Sequence, residues 1–295
     1  MLDRLVSVLN KAERLLDRLE RIVPAAPPEI PWETATAFRW LGASRTDPLR
    51  GISHPHQISL ADLRCVEVQK TDLNRNTRQF LQGLPANNVL LWGSRGTGKS
   101  SLVKALLNEY ARQGLRLIEV DKTHLAELPD ILDLVAGRSE KFILFSDDLS
   151  FEADDASYKT LKAALDGSLS VLSGNALIYA TSNRRHLLPE YLRENLEARH
   201  LDGEIHHGEG VEEKISLSER FGLWLSFYPF TQDEYLEVVA YWLKRFPAPA
   251  NDWETIRTEA LRWALKRGSR SGRVAWQFAR DWSGRSALAA APLER

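Results

Sequence analysis

Apolar residues change their spacing along this chain, and each change marks a different kind of element. Over residues 1–23, Leu2, Leu5, Leu9, Ala12, Leu16, Leu19 and Val23 recur at alternating steps of three and four. That is a heptad seam on one helix, with charged residues filling the other face. Either packing back on the protein's own body or self-association would bury it. Pro24, Pro27, Pro28 and Pro31 then end the helix and form a stiff linker.

Residues 32–87 are mixed. Ser59-Leu60-Ala61-Asp62 could open a helix, and Leu73–Leu81 reads as another. From Asn88 the pattern sharpens into short continuous apolar runs separated by helical stretches. Val89–Trp92, Leu115–Val120, Phe142–Phe145, Ala176–Ala180 and Phe221–Phe227 read as buried strands. Lys99–Gln113 (closed by Gly114), Leu125–Val135 and Ser157–Leu169 read as helices. Strands alternating with helices predict an α/β fold, a doubly wound parallel sheet of five strands. Residues 198–219, with Gly203, Gly208, Gly210 and His206-His207, read as a long surface loop. After Pro229 the strand pattern stops. Thr231-Gln232-Asp233-Glu234 is a capping box for a helix to about Arg245. Asp252–Arg267 and Gly272–Trp282 follow, the latter with Ser271 as N-cap, and the alanine-rich tail 286–295 is expected to fray. Three segments result: an N-terminal helix and proline-rich linker over 1–31, an α/β core over 32–229, and an α-helical lid over 230–295.

Gly93-Ser94-Arg95-Gly96-Thr97-Gly98-Lys99-Ser100 matches G-x-x-x-x-G-K-[ST], with a buried strand running in and a helix running out. Glycines let the backbone turn its N–H groups toward phosphates, and the helix N-terminus adds positive potential. In a P-loop NTPase, Lys99 reaches the β- and γ-phosphates and the Ser100 hydroxyl ligates Mg²⁺. Ser101 continues the phosphate-binding set. A glycine turn that binds nothing would need neither Lys99 nor Ser100. The strand Phe142–Phe145 runs into Ser146-Asp147-Asp148. Asp147 is expected to hold Mg²⁺ through its water shell, and Asp148 to orient or deprotonate the attacking water. The expected ligand is therefore ATP with Mg²⁺.

Composition narrows the setting. Lys+Arg 39 against Asp+Glu 40 gives a net charge of -1, so no bulk field draws the chain to nucleic acid or anionic membrane. Cys65 is the one cysteine, which excludes an internal disulfide and fits a small buried filler in a reducing compartment. No apolar run approaches a membrane span and the opening residues lack a leader's apolar core, so a cytoplasmic location is expected. His54, His56 and the pair His206-His207 lack further His or Cys at ligand spacing and are expected to be solvated. Trp224, Trp242, Trp253, Trp263 and Trp276 are expected to pack in the core.

The order P-loop, Asp147-Asp148, Thr181-Ser182-Asn183, Glu219-Arg220-Phe221-Gly222 and helical C-terminus resembles the AAA+ ATPases. Phe145–Phe151 and Glu219–Leu223 resemble, more narrowly, a bacterial AAA+ branch of ATP-binding proteins of unknown function. The resemblance implies Asn183 as sensor 1, a polar contact to the γ-phosphate or attacking water. It implies Arg220 as an arginine finger acting in trans, with Arg184 and Arg185 as rivals. It implies Arg273 as the lid sensor, with Arg270 as the alternative in the same turn, and it sets Asp62–Val66 near the adenine. Most relatives carry glutamate where Asp148 stands, which points to slow hydrolysis or help from Glu152. The implied activity is hydrolysis of ATP to ADP and phosphate, coupled to conformational change in a homo-oligomer (a ring or partial ring) or a bound protein partner. The alternative is a nucleotide-gated switch or loader with little turnover, acting on protein or nucleic acid. AAA+ threading machines carry an aromatic pore loop after the second strand; Asp121-Lys122-Thr123-His124-Leu125 has none.

Overall fold

In the computed structural model, residues 29–151, 157–165, 174–184, 199–201, 204–206, 217–246 and 252–290 are described, with Lys11 and Glu13. All seven residues of the heptad seam lie outside them, as do Arg185 and Glu152. Strands β1 (Ala37–Trp40), β2 (Leu49–Gly51), β3 (Val89–Gly93), β4 (Leu115–Glu119), β5 (Lys141–Ser146), β6 (Ala176–Ser182) and β9 (Leu223–Phe227) form one sheet. Its order is β2-β1-β4-β5-β6-β3-β9. β2 runs antiparallel to β1, and every other pairing is parallel. The sheet thus has seven strands rather than five. The two added strands lie in the stretch 32–87, where the pattern is hard to read. β1 has four residues with Arg39 exposed in its middle, and β2 has three, so neither shows a continuous apolar run.

Alternation along each strand divides the core between the two faces. Val89 and Leu91 pack with Ile143, Tyr179 and Leu225 against Leu102 and Leu106 of α2 (Lys99–Tyr110). Leu90 packs with Phe142, Leu144 and Ile178 against Ile131 of α3 (Leu128–Val135) and Leu161 of α4 (Ser157–Leu165). Both faces are covered, which is why the central strands read as unbroken apolar runs. Helix α1 (Glu67–Leu81) is pinned to β6 by polar groups. The buried Tyr179 hydroxyl meets the Asn76 amide at 3.1 Å and the Thr77 hydroxyl at 3.0 Å. Burial pushes the Tyr179 phenol up to about 12, so it stays neutral.

The β1–β2 unit packs over the turn that follows β4. Trp32 lies against Phe38 and Phe142, with ring centroids 5.0 and 5.7 Å apart. Trp40 Nε1 and the Ala43 N–H both donate to Glu127, at 2.5 and 2.8 Å. Lys122–Glu127 is a 3-10 helix capped by Asp121, whose carboxylate accepts from the Thr123 N–H. Helix α3 accordingly starts at Leu128, three residues later than the spacing predicts, with Pro129 in its first turn where proline is tolerated.

Residues 198–219, expected as loop, contain a small hairpin: β7 (Arg199–Leu201) pairs antiparallel with β8 (Glu204–His206). After β9, three helices follow: α5 (Gln232–Leu243), α6 (Trp253–Arg267) and α7 (Gly272–Ala290). Thr231 and Glu234 form the expected capping box. Helix α7 runs to Ala290 instead of fraying from Ser286, because its alanines favour helix even where packing is thin. Trp253 is 40% exposed and does not join the core.

The helical unit is tied to the segment before α1. Asp62 accepts from the Tyr241 hydroxyl at 2.8 Å and pairs with Arg245 at 3.2 Å. Arg64 pairs with Glu237 at 2.9 Å. Burial alone would raise the Asp62 carboxyl. Hydrogen bonds from Ser59 and Tyr241, with the Arg245 charge, outweigh it and hold the group below its ordinary value. Cys65 Sγ faces the Glu234 carbonyl at 3.7 Å, and burial pushes its thiol up to about 12. Such a thiol is a packing group rather than a nucleophile.

Candidate functional site

β3 enters the glycine loop and α2 leaves it, so the loop sits at the carboxyl edge of the sheet. Gly93 has φ +125, and a Cβ there would run into the Phe227 carbonyl. Gly96 has φ +77 and faces the start of α7, where Ser271 and Arg273 leave no room for a side chain. These two glycines let the loop pass between β9 and α7. The Ser94 N–H donates to Phe227 O at 2.9 Å, and Thr97 Oγ1 donates to Ser94 O at 2.7 Å.

A cavity of about 690 Å³ opens here, of the size that holds a nucleotide-like ligand. Residues Arg95 to Ser101 line its floor, with Asp147, Asp148, Thr181 and Asn183. Phe230, Val238, Trp242, Gly272, Arg273 and Trp276 come from the helical unit. His56, Ile58, Asp62, Leu63 and Arg64 complete the wall. Gly93 and Ser94 are not in the wall; their carbonyls instead hold Lys99.

The polar groups converge. Lys99 is buried, and its Nζ donates to Gly93 O at 2.7 Å, Ser94 O at 2.8 Å and Asn183 Oδ1 at 3.2 Å. Burial pulls the Lys99 ammonium down to about 8, against the opposing charges of Asp148 and Asp147. Ser100 Oγ lies 2.5 Å from Asp147 Oδ1. The Asn183 amide donates to Asp148 Oδ1. Arg95, 77% exposed, reaches Asp148 at 3.8 Å.

The arrangement suits a hard divalent cation on phosphates. Ser100 and Asp147 offer oxygens alone, and a Mg²⁺ ion that keeps waters and phosphate oxygens needs only one or two protein ligands. No cluster of three His, Cys, Asp or Glu that could hold a metal occurs among the described residues.

Of the residues singled out by sequence, Lys99, Ser100, Ser101, Asp147, Asp148, Asn183 and Arg273 come together on the cavity. The Arg273 N–H also donates to Gly96 O at 3.1 Å. Arg270 is not in the wall; its carbonyl accepts from Phe230 N. Arg220 is half-buried and also outside the wall. Asp62, Leu63 and Arg64 line the cavity while Cys65 and Val66 do not. Sequence reading missed Trp242, Trp276 and His56 as wall residues. Nothing in their local spacing distinguishes a helix face turned to the cavity from one turned to the core. It also missed Thr181, whose visible signal is a hydroxyl at the end of an otherwise apolar strand.

Fold and site together give a P-loop α/β fold of the AAA+ type, a largely parallel sheet with a helical unit over the cavity beside the glycine loop. The chain belongs to a family described as a protein of unknown function, DUF815, whose profile matches residues 33–286. Two solved forms of RuvB from Thermotoga maritima share this fold. One has a TM-score of 0.52 at 17% identity, over 79% of this chain and 67% of that one. The other has a TM-score of 0.50 at 18% identity, over 75% and 63%. The chain therefore spans about two thirds of these relatives' length. No curated protein matches it in sequence. Among the described residues, no helix is long and apolar enough to cross a membrane.

Proposed function

We propose that this protein hydrolyses Mg·ATP to ADP and phosphate and couples its nucleotide state to conformational change in an assembly or a bound protein partner. The observation that carries this reading is the convergence of Lys99, the Ser100–Asp147 pair and the Asn183–Asp148 pair on one cavity. Gly93–Ser100 cradles the phosphates, Lys99 meets the β- and γ-oxygens, and Ser101 continues the binding turn. Ser100 and Asp147 hold Mg²⁺, which when bound neutralises charge developing on the phosphoryl oxygens. Asp148 takes the proton of the attacking water or orients it, and Asn183 fixes the Asp148 carboxylate. Arg273 reaches the nucleotide from the helical unit. Arg220 acts as a finger toward a neighbouring copy in a ring or partial ring, in keeping with its position outside its own cavity. The working units are residues 1–31, 32–229 and 230–295, and the setting is the cytoplasm.

A second reading, a nucleotide-gated switch or loader with slow turnover, is favoured by a specific contact. The segment after β4, where threading machines carry a gripping loop, has no aromatic residue. It is clamped by Trp40 and Ala43 through Glu127. That speaks against processive threading and so favours the switch. Nucleic acid as the partner has no support from the net charge.

Phosphate release from Mg·ATP across a protein concentration series, alongside light scattering with ATP, ADP and no nucleotide, tests the proposal. Specific activity that rises with concentration, together with ATP-dependent assembly, is expected. Binding of ATP without release of phosphate would leave the switch.

A further inference from the structure

We infer that Thr181 is a positioning residue that sets both carboxylates of the acidic strand end, and through Asp147 governs how tightly the site takes a divalent cation. This rests on the proposed Mg·ATP reading of the cavity and goes beyond it, because Thr181 need not touch the nucleotide.

The geometry is specific. β5 and β6 run parallel with Ser146 opposite Ala180, so Thr181 lies beside the residues that leave β5. Its hydroxyl donates to Asp147 Oδ1 at 2.6 Å and accepts the Asp148 N–H at 2.9 Å. Its carbonyl accepts the Leu149 N–H at 2.7 Å. One residue therefore holds three consecutive positions of the turn. Thr181 is buried at 1% exposure, so its hydroxyl finds its partners within the protein.

Two features show that the turn needs holding. Asp148 has φ +53, a left-handed conformation that is uncommon outside glycine and persists where surrounding contacts over-determine it. The N–H of that residue is the one Thr181 accepts. On the other side, Asp147 Oδ1 receives both Thr181 Oγ1 and Ser100 Oγ. With Oδ1 held twice, the carboxylate's orientation toward a bound divalent cation would be fixed from behind. Orienting a ligating carboxylate by a hydrogen bond behind it is the usual means of tuning metal affinity.

A buried threonine that merely satisfies its own hydroxyl would tolerate an isostere at little functional cost. Thr181→Val keeps shape and β-branching and removes both hydroxyl bonds. The first measurement is the Mg²⁺ concentration that half-maximally tightens binding of a non-hydrolysable ATP analogue. Thr181→Val is expected to raise it about tenfold. In turnover it is expected to lower kcat about 100-fold, with KM for ATP near wild type, as for a misplaced catalytic group. Thr181→Ser is expected to restore most of both. If the valine variant does not fold, Thr181→Cys, close in size and weaker in hydrogen bonding, is expected to give an intermediate shift in Mg²⁺ requirement.

A folded valine or cysteine variant with the wild-type Mg²⁺ requirement would overturn the inference. So would a serine variant as defective as valine, since that would make the methyl group the active part. Wild-type protein that binds the analogue but releases no phosphate from ATP would end the ATPase reading alone, because the Mg²⁺ titration of binding still decides the role of Thr181.

Discussion

Asn183 donates its side-chain amide to the Asp148 carboxylate. The same amide group accepts, through Oδ1, from Lys99 at 3.2 Å. One side chain after β6 thus links Lys99 to the group proposed as base. On the proposed reading, a phosphate arriving at Lys99 would compete with Asn183 and so be felt at Asp148.

Asp148→Asn is expected to keep ATP affinity and lose hydrolysis by about 10²–10⁴-fold, the range for a general base. Asn183→Ala, which releases Asp148 while leaving the carboxylate, is expected to lose less. Single-turnover phosphate release with a parallel binding isotherm separates the two. Turnover at the wild-type rate in Asp148→Asn would remove Asp148 from the mechanism.

Lys99 sets a pH dependence for binding. Its ammonium is drawn down to about 8 by burial. Below that pH it is charged and ready for phosphate. Above it the free protein holds a neutral amine, and binding must first recapture a proton. ATP affinity is therefore expected to fall as pH rises through about 8, with proton uptake on binding in that range. Calorimetry in buffers of different ionisation enthalpy measures the uptake directly.

Arg220 is expected to act between copies. Arg220→Ala should keep ATP binding and lower turnover by about 10³-fold or more, the scale of an arginine finger. Mixing it with a Lys99→Ala variant, defective at the other half of a shared site, should restore partial activity. Lack of recovery in the mixture, with assembly intact, would argue for action within one chain.

Tyr179→Phe tests the polar pin between α1 and β6. Asn76 and Thr77 each keep another partner, the Asn87 carbonyl and the Leu73 carbonyl. The loss is therefore that of ordinary hydrogen bonds, about 1–2 kcal/mol, read as a lowered Tm. Because β6 also carries Thr181, a change in kcat beyond the loss of folded protein would show that the pin holds the site as well as the fold.

The phosphate loop, the two carboxylates and Asn183 were legible because their chemistry sits in consecutive residues beside strong apolar strands. The choice between Arg270 and Arg273 was not. They are three residues apart in one turn, and only the packing of α7 against Gly96 brings Arg273 to the cavity. The β1–β2 strands were hidden for a different reason: much of their burial comes from β4 and the Glu127 clamp, both distant in sequence.

Local order along the chain therefore determined the class of fold, the parallel core and the phosphate-binding turn, since periodicity and glycine conformation act within a few residues. Tertiary structure decided the two added strands, the Trp242 and Trp276 wall, the clamp on the segment after β4 and the hold of Thr181 on Asp147 and Asp148. Each of those joins residues tens of positions apart, and a hydrogen bond or a buried face between such residues exists only once the sheet has fixed their distance.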